Sequence, residues 1–370
     1  MLVAERREEL NLYRLLEMMK VFALHRLKEA GEFDRARLAH AERMVSFSEE
    51  LGLRWSNERR LWKKAAAMVD DIRAALNTLL EVRPRRAAWL AGSLRWFWRN
   101  TGRLGEGIRW TAMALEANPD DSLERCWAVH AQAILLLRAH RTVDAKVCLQ
   151  EATRLAALPE CDEMRGELLL AEGLAHAGFH ELAAAENADR AAIAEFMRIG
   201  NFERAGMVHN DLALGLLGQG QYLASRAAAE KSVELLSQSN SGLLAFATDT
   251  LAQTNVFLGD LDQARRCWLQ VAPVFMANGQ VVPAAACLEG LAYVAGMRKR
   301  TDLALRLHAC AIQLFSGASD SFDGEPVAPK IREFIGQLEE QVGVEHAARL
   351  RKEGEALVPE IAFQLADSEG

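Results

Sequence analysis

Five of the eight tryptophans fall between residues 89 and 127, as Trp89, Trp96, Trp98, Trp110 and Trp127, interleaved with Arg95, Arg99, Arg103 and Arg109. Indole faces beside guanidinium groups make a site for sugar rings, bases or aromatic peptides, because the electron-rich ring face attracts cations and offers a flat stacking surface. The same side chains also suit the core of a helical layer, so the cluster carries both readings.

Other chemistry is sparse. His176 and His180 are four apart, but Gly178 between them marks a turn, so no helix aims both rings at one metal. The segment Gly215-Leu-Leu-Gly-Gln-Gly220 follows a helical stretch and lacks the lysine of a phosphate-cradling loop. There is no Gly-x-Ser-x-Gly elbow and no nucleophile, base and acid set that can be placed at one surface. The six cysteines, Cys126, Cys148, Cys161, Cys267, Cys287 and Cys310, form no Cys-x-x-Cys pair and read as small buried hydrophobes. No metal, no cofactor and no catalysis are expected. The one enzymatic alternative would use His130, Glu172 or Asp249 as acid or base in a shared pocket.

The elements that position these residues are helical. Ala and Leu dominate and apolar residues recur at three and four, whereas Leu2-Val3 and Leu12-Tyr-Arg-Leu15 suggest one short N-terminal hairpin. Six helix-breaking stretches open at Gly102, His140, Gly178, Gly220, Gly259 and Lys299, and the sixth position of each is small: Gly107, Ala145, Ala183, Ser225, Ala264 and Ala304. The spacings of these small residues, 38, 38, 42, 39 and 40, define a repeat. A small residue one turn into the second helix lets two antiparallel backbones approach, and the preceding break supplies the left-handed residue that ends the first helix. This is a tetratricopeptide-like hairpin, so the expected fold is an all-α, right-handed α-solenoid of about six hairpins. The expected organisation is an N-terminal linker and helical region over 1–86, the repeat array over 87–316, and a loop with capping helices over 317–370. Within the flanks, helices are expected over Leu16–Ala30, Phe33–Leu51, Glu58–Leu80, Ile331–Val342 and Val344–Ala356.

Aligning the break residues places Leu94 and Trp98 in the interhelix seam. The same register sends Trp89, Trp96, Arg99, Trp127, His130, Arg165, Glu172, Asn210, Asp249, Gln253, Glu289 and Tyr293 to the inner surface, as a ligand- or partner-binding groove.

Composition agrees with a folded repeat protein: 370 residues, 50% apolar and 26% charged. No apolar run is long enough for a membrane span, and the N-terminus lacks an apolar segment behind a basic one, so a cytoplasmic protein without membrane partners is expected. The net charge of -7 is unevenly placed: residues 1–110 carry 22 Lys/Arg against 15 Asp/Glu, a balance of +7, and the remainder 22 against 36, a balance of -14. That layout can steer an acidic partner to the N-terminal third. No motif that reads nucleic acid accompanies it, so direct nucleic-acid binding is not expected.

Several motifs resemble a known family. Leu12-Tyr-Arg-Leu-Leu-Glu17 followed by Phe22-Ala-Leu-His-Arg-Leu27 is similar to the junction after the nucleotide-binding module of bacterial STAND-class ATPase transcriptional regulators, a group that includes AfsR-like, LuxR-type and OmpR-type winged-helix regulators. Val69-Asp-Asp-Ile-Arg-Ala-Ala-Leu76 resembles a helix of that family, with Asp71 where Asn is usual. Trp96-Phe-Trp98, Arg109-Trp110 and the tail from Ala304-Leu-Arg-Leu-His-Ala309 to Glu353-Gly-Glu-Ala-Leu357 are also similar. The resemblance implies the C-terminal sensor half of such a regulator, with a protein or peptide partner, for instance an ATPase or DNA-binding regulator, or a small-molecule inducer. The phosphate loop, the magnesium-binding carboxylates and a complete helix-turn-helix are absent, and the N-terminal hairpin resembles the remnant of a winged-helix domain within 1–30. Together these features imply a non-enzymatic sensor and scaffold module of transcriptional regulation or signalling.

Overall fold

The computed structural model describes residues 2–7, 10–53, 65–239, 241–316 and 326–368. Among them it is all-helical apart from one N-terminal hairpin, and it divides into two compact units, residues 1–192 and 193–370.

In the first unit, β1 (Leu2–Arg7) and β2 (Leu10–Leu15) pair antiparallel with Leu2 opposite Leu15, as the sequence suggests. Helices α1 (Glu17–Glu29), α2 (Phe33–Leu53), α3 (Val69–Val82) and α4 (Pro84–Ser93) follow, and then a short α5 (Arg95–Asn100). The repeat continues through α6 (Leu104–Ala117), α7 (Leu123–Arg138), α8 (Thr142–Leu155), a 3-10 turn (Pro159–Met164), α9 (Arg165–Gly178) and α10 (Leu182–Arg198), whose last turns enter the second unit. The start of the helix expected from Glu58 lies outside the described residues.

The second unit packs α11 (Phe202–Gly218), α12 (Tyr222–Gln238), α13 (Leu244–Leu258), α14 (Leu261–Ala277), α15 (Val281–Met297) and α16 (Thr301–Ser316) in sequence, each against the next. Helices α17 (Ala328–Val342), α18 (Val344–Glu355) and α19 (Pro359–Ser368) close over α15 and α16. The loop expected from Ser316 to Pro326 falls almost wholly outside the described residues. Helix α19 was not anticipated; its C-terminal carbonyl at Ala366 accepts from Arg265 Nη2 and Nε of α14 at 2.9 and 3.1 Å, which satisfies an orphan helix-end group.

The repeat has the expected punctuation with one slip. Left-handed residues end the first helix of each hairpin at Gly102, His140, Gly220, Gly259 and Lys299, but in the third hairpin that residue is His180 (φ 60°), and Gly178 closes α9 instead. The small position therefore shifts from Ala183, which is exposed, to the buried Ala185. A glycine signals where a left-handed residue is easy to place, but histidine tolerates that conformation when packing favours it.

Three tryptophans seat directly on glycines. A Cβ added at Gly107 would lie 2.6 Å from Trp98 Cβ, one at Gly92 would lie 2.5 Å from Trp127 Cδ1, and one at Gly290 would lie 2.5 Å from Trp268 Cζ2. Trp98 and Trp268 are fully buried. Each such indole removes about 200 Å² from water, on the order of 5 kcal/mol before ordering entropy.

Candidate functional site

The tryptophan and arginine segment builds a buried charged cluster within the first unit. Arg95, at the start of α5, is 1% exposed, and its guanidinium lies 4.3 Å from the Trp127 ring centre and 5.3 Å from that of Trp96. Its Nη2 stands 3.5 Å from Oε2 of Glu167, on α9. His130 of α7 meets the backbone oxygen of Glu167 through Nε2 at 3.1 Å, so α5, α7 and α9 converge on one charged pair. Indole faces supply the cation with a polarisable lining that apolar side chains would not.

The expected inner-surface residues of this segment are largely packed. Trp96 is 5% exposed, Trp127 9% and His130 1%. Trp127 donates to Ser93 Oγ at 3.2 Å and stacks on Trp89 at 5.7 Å. Trp89 and Arg99 are half-buried; Trp89 Nε1 donates to Glu49 at 3.0 Å, and Arg99 lies over Trp96 at 5.1 Å. Arg165, half-buried, pairs with Asp162 at 3.0 Å and donates to the carbonyl of Ala156, which ties down the 3-10 turn.

Glu172 lies elsewhere in the same unit, in a cleft of about 370 Å³ between α8 and α9. One wall is Lys146, Leu149, Gln150 and Thr153, the other Glu172, Ala175, His176 and Phe179. Both sets follow the i, i+3, i+4, i+7 spacing that lays four side chains along one helix face. Thr153 donates to Glu172 across one end, and at the other end Lys146 Nζ stands 5.4 Å from the Phe179 ring centre. Leu149 and Ala175 form the buried floor and share an apolar cluster with Trp96, Ala133, Ile134 and Ala171. His176 is held by Glu181 through Nδ1 at 2.5 Å.

In the second unit, Asp249 and Gln253 are adjacent on α13: Asp249 accepts from Gln253 Nε2 at 3.0 Å and from Trp268 Nε1 of α14 at 2.7 Å. Glu289 of α15, 3% exposed, pairs with His308 Nδ1 of α16 at 2.8 Å. Burial alone would lower the His308 pKa, but the Glu289 hydrogen bond and charge, with a further contribution from Glu339, outweigh it and hold the pKa above the ordinary imidazole value. Tyr293, one turn from Glu289, packs edge-on to Phe334 at 5.0 Å, with Lys330 Nζ 5.8 Å from its ring, and burial pushes its phenol pKa up. Asn210 of α11 is half-buried.

No group of three or more His, Cys, Asp or Glu able to hold a metal occurs among the described residues. The thiols are mostly buried, and burial pushes Cys148, Cys267 and Cys310 up to about 11. No described helix is long and apolar enough to cross a membrane.

Sequence reasoning missed Arg95 and Glu167 as partners, because a contact 72 positions apart has no local signature. The cleft was legible in part, since its two walls repeat one helical spacing.

No family model matches the chain. A segment of 124 residues is 32% identical to proteins of Mycobacterium bovis and Mycobacterium tuberculosis provisionally named HTH-type transcriptional regulators, covering 33% of this chain and 14% of the length of those relatives. Among solved structures, the chain is similar over 97% of its length to a signal transduction ATPase with numerous domains (STAND) carrying a tetratricopeptide repeat sensor, from Pyrococcus horikoshii. That match has a TM-score of 0.61 and 15% identity, and covers 58% of the archaeal chain. It is also similar to apo RapI, with a TM-score of 0.55, 11% identity and coverage of 90% of this chain and 96% of the other. A Rap protein complexed with competence and sporulation factor matches with a TM-score of 0.52, 11% identity and coverage of 89% and 98%. These likenesses establish a tetratricopeptide-like all-helical fold.

Proposed function

We propose that this chain is a non-enzymatic sensor and scaffold module of bacterial transcriptional regulation or signalling, acting in the cytoplasm on a protein or peptide partner or a small inducer. Residues 1–86 serve as the linker, 87–316 as the binding array and 317–370 as its cap. The observation that carries the reading is the cleft between α8 and α9, whose floor belongs to the same apolar cluster as Trp96, next to the Arg95 to Glu167 pair. An occupant that moves α9 relative to α8 acts directly on the ion pair that joins α9 to α5. An occupant that binds one arrangement of α8 and α9 better than the other thus biases the helix packing, which is what a population-shift sensor requires. The sequence similarity to named regulators and the fold likeness to a STAND sensor support the regulatory setting. AfsR-like, LuxR-type and OmpR-type regulators are the family settings it suits.

Trp89, Trp96, Arg99, Trp127 and His130 act in this scheme as the support behind the site, Glu172 lines it, and Arg165 secures the 3-10 turn that leads into α9. In the second unit the half-buried Asn210 and Asp249 offer polar groups to a protein or peptide partner, whereas Gln253, Glu289 and Tyr293 are buried and support that face from behind. The test is affinity capture from lysate of the source bacterium with the whole chain as bait. Recovery of an ATPase or a DNA-binding regulator is expected. Recovery of neither, together with chemical conversion of a small molecule by the chain and its loss on changing His130, Glu172 or Asp249, would replace the sensor with the enzymatic alternative.

A further inference from the structure

The cleft between α8 and α9 has a charge at each end that the protein itself leaves unmatched. Most charged side chains near it are paired: Arg154 with Asp121, Arg141 with Asp144, and His176 with Glu181. Lys146 and Glu172 have no ion-pair partner among the described residues; Lys146 lies over Phe179, and Glu172 accepts one hydrogen bond from Thr153. A carboxylate offers about four acceptor sites, so that single bond leaves most of its capacity open.

The two charges sit at opposite ends of the groove. Lys146 and Thr153 are seven residues apart on α8, about 10 Å of helix rise, and Glu172 faces Thr153. Between them lies the apolar floor of Leu149 and Ala175, with the Phe179 ring beside Lys146. An occupant complementary to this arrangement is zwitterionic, apolar in the middle, and about 10 Å from its ammonium to its carboxylate. A free amino acid is too short to meet both ends. An extended chain of three residues, at about 3.3–3.6 Å each, spans the distance. The cleft volume of about 370 Å³ lies in the lower part of the range used by small-ligand sites.

We propose that the α8 and α9 cleft binds a short apolar peptide with free termini, its amino end at Glu172 and its carboxyl end at Lys146. This rests on the sensor reading and specifies the class of its inducer. The peptide ammonium takes the open lone pairs of Glu172, displacing or sharing the Thr153 bond that now bridges the helices, so binding bears on the position of α9.

The test uses calorimetric titration of the full chain with trileucine, its N-acetyl form and its C-terminal amide. Trileucine is expected to bind, and blocking either end weakens it about tenfold, the size of one half-exposed charge contact. Glu172→Gln should abolish the distinction between free and acetylated peptide while keeping that between acid and amide. Lys146→Met should do the reverse. Both side chains are at the surface, so the circular dichroism and melting of the variants should match the parent. Equal binding of all three peptides, or no binding of trileucine at about 10 mM, overturns the proposal. A captured regulator without peptide binding removes the ligand class alone. Peptide binding with end discrimination and no captured regulator keeps the site and removes the regulatory setting.

Discussion

Replacing Glu167 by Gln removes the counter-charge of a guanidinium that is 1% exposed while keeping shape and a hydrogen-bonding group. At the 3.5 Å separation of the pair, an effective dielectric of about 20 gives a gross attraction of about 5 kcal/mol. Part of that is already offset by desolvation, and breaking one side of a buried pair typically removes 3–5 kcal/mol, so a loss of about 3 kcal/mol is expected. The double variant Arg95→Met with Glu167→Leu removes both charges into an apolar, aromatic surround and should lose less than Glu167→Gln alone. Because the chain has two compact units, a global melt would mix their responses. Native-state hydrogen exchange in α5, α7 and α9 reads the effect locally, as a drop in protection of roughly a hundredfold. A loss below about 1 kcal/mol for Glu167→Gln would mean that the pair behaves as a surface contact, and would refute α9 being held through Arg95.

Gly107→Ala must push its new methyl against Trp98 and should destabilise the first unit by about 1–2 kcal/mol, whereas Gly105→Ala on the same helix meets nothing within 4 Å and should stabilise it by about 0.5 kcal/mol; denaturant titration compares them. His308 has its pKa raised in the folded state, so its contribution is complete below the ordinary value near 6.5 and is lost as pH rises through the higher folded value. It faces Glu289 on α15, Glu339 on α17 and Arg351 on α18, and His308→Asn should flatten the fall in α15 and α16 exchange protection as pH rises above about 6.5. Cys148, half-buried with a thiol pushed up to about 11, should react with maleimide at pH 7.5 far more slowly than a free thiol, and full labelling of all six cysteines should require denaturant.

The repeat was readable because Gly220, Gly259 and Lys299 recur with small residues five positions on, and that spacing carries the helix-pair geometry directly. The third hairpin misled because Gly178 advertises a left-handed residue that packing instead assigns to His180. The fate of the tryptophans was less legible. Helical register separates faces, but whether a face meets solvent depends on which helix lies above it, and Trp96, Trp127 and His130 are covered by α9 and its neighbours. Charge pairing across helices, as between Arg95 and Glu167 or Glu289 and His308, follows only from the assembled packing.

The seating of Trp98 on Gly107, Trp127 on Gly92 and Trp268 on Gly290 bears on how such a chain can change over time. At each seat a larger residue in place of the glycine collides with the indole, while a smaller residue in place of the tryptophan leaves a void over the glycine. Neither partner has a neutral single step, and the joint change passes through an intermediate weaker by a few kcal/mol. Three points of the sequence are therefore fixed as couples, and variation in a lineage of such modules would collect on the helix faces between them, the walls of the α8 and α9 cleft included.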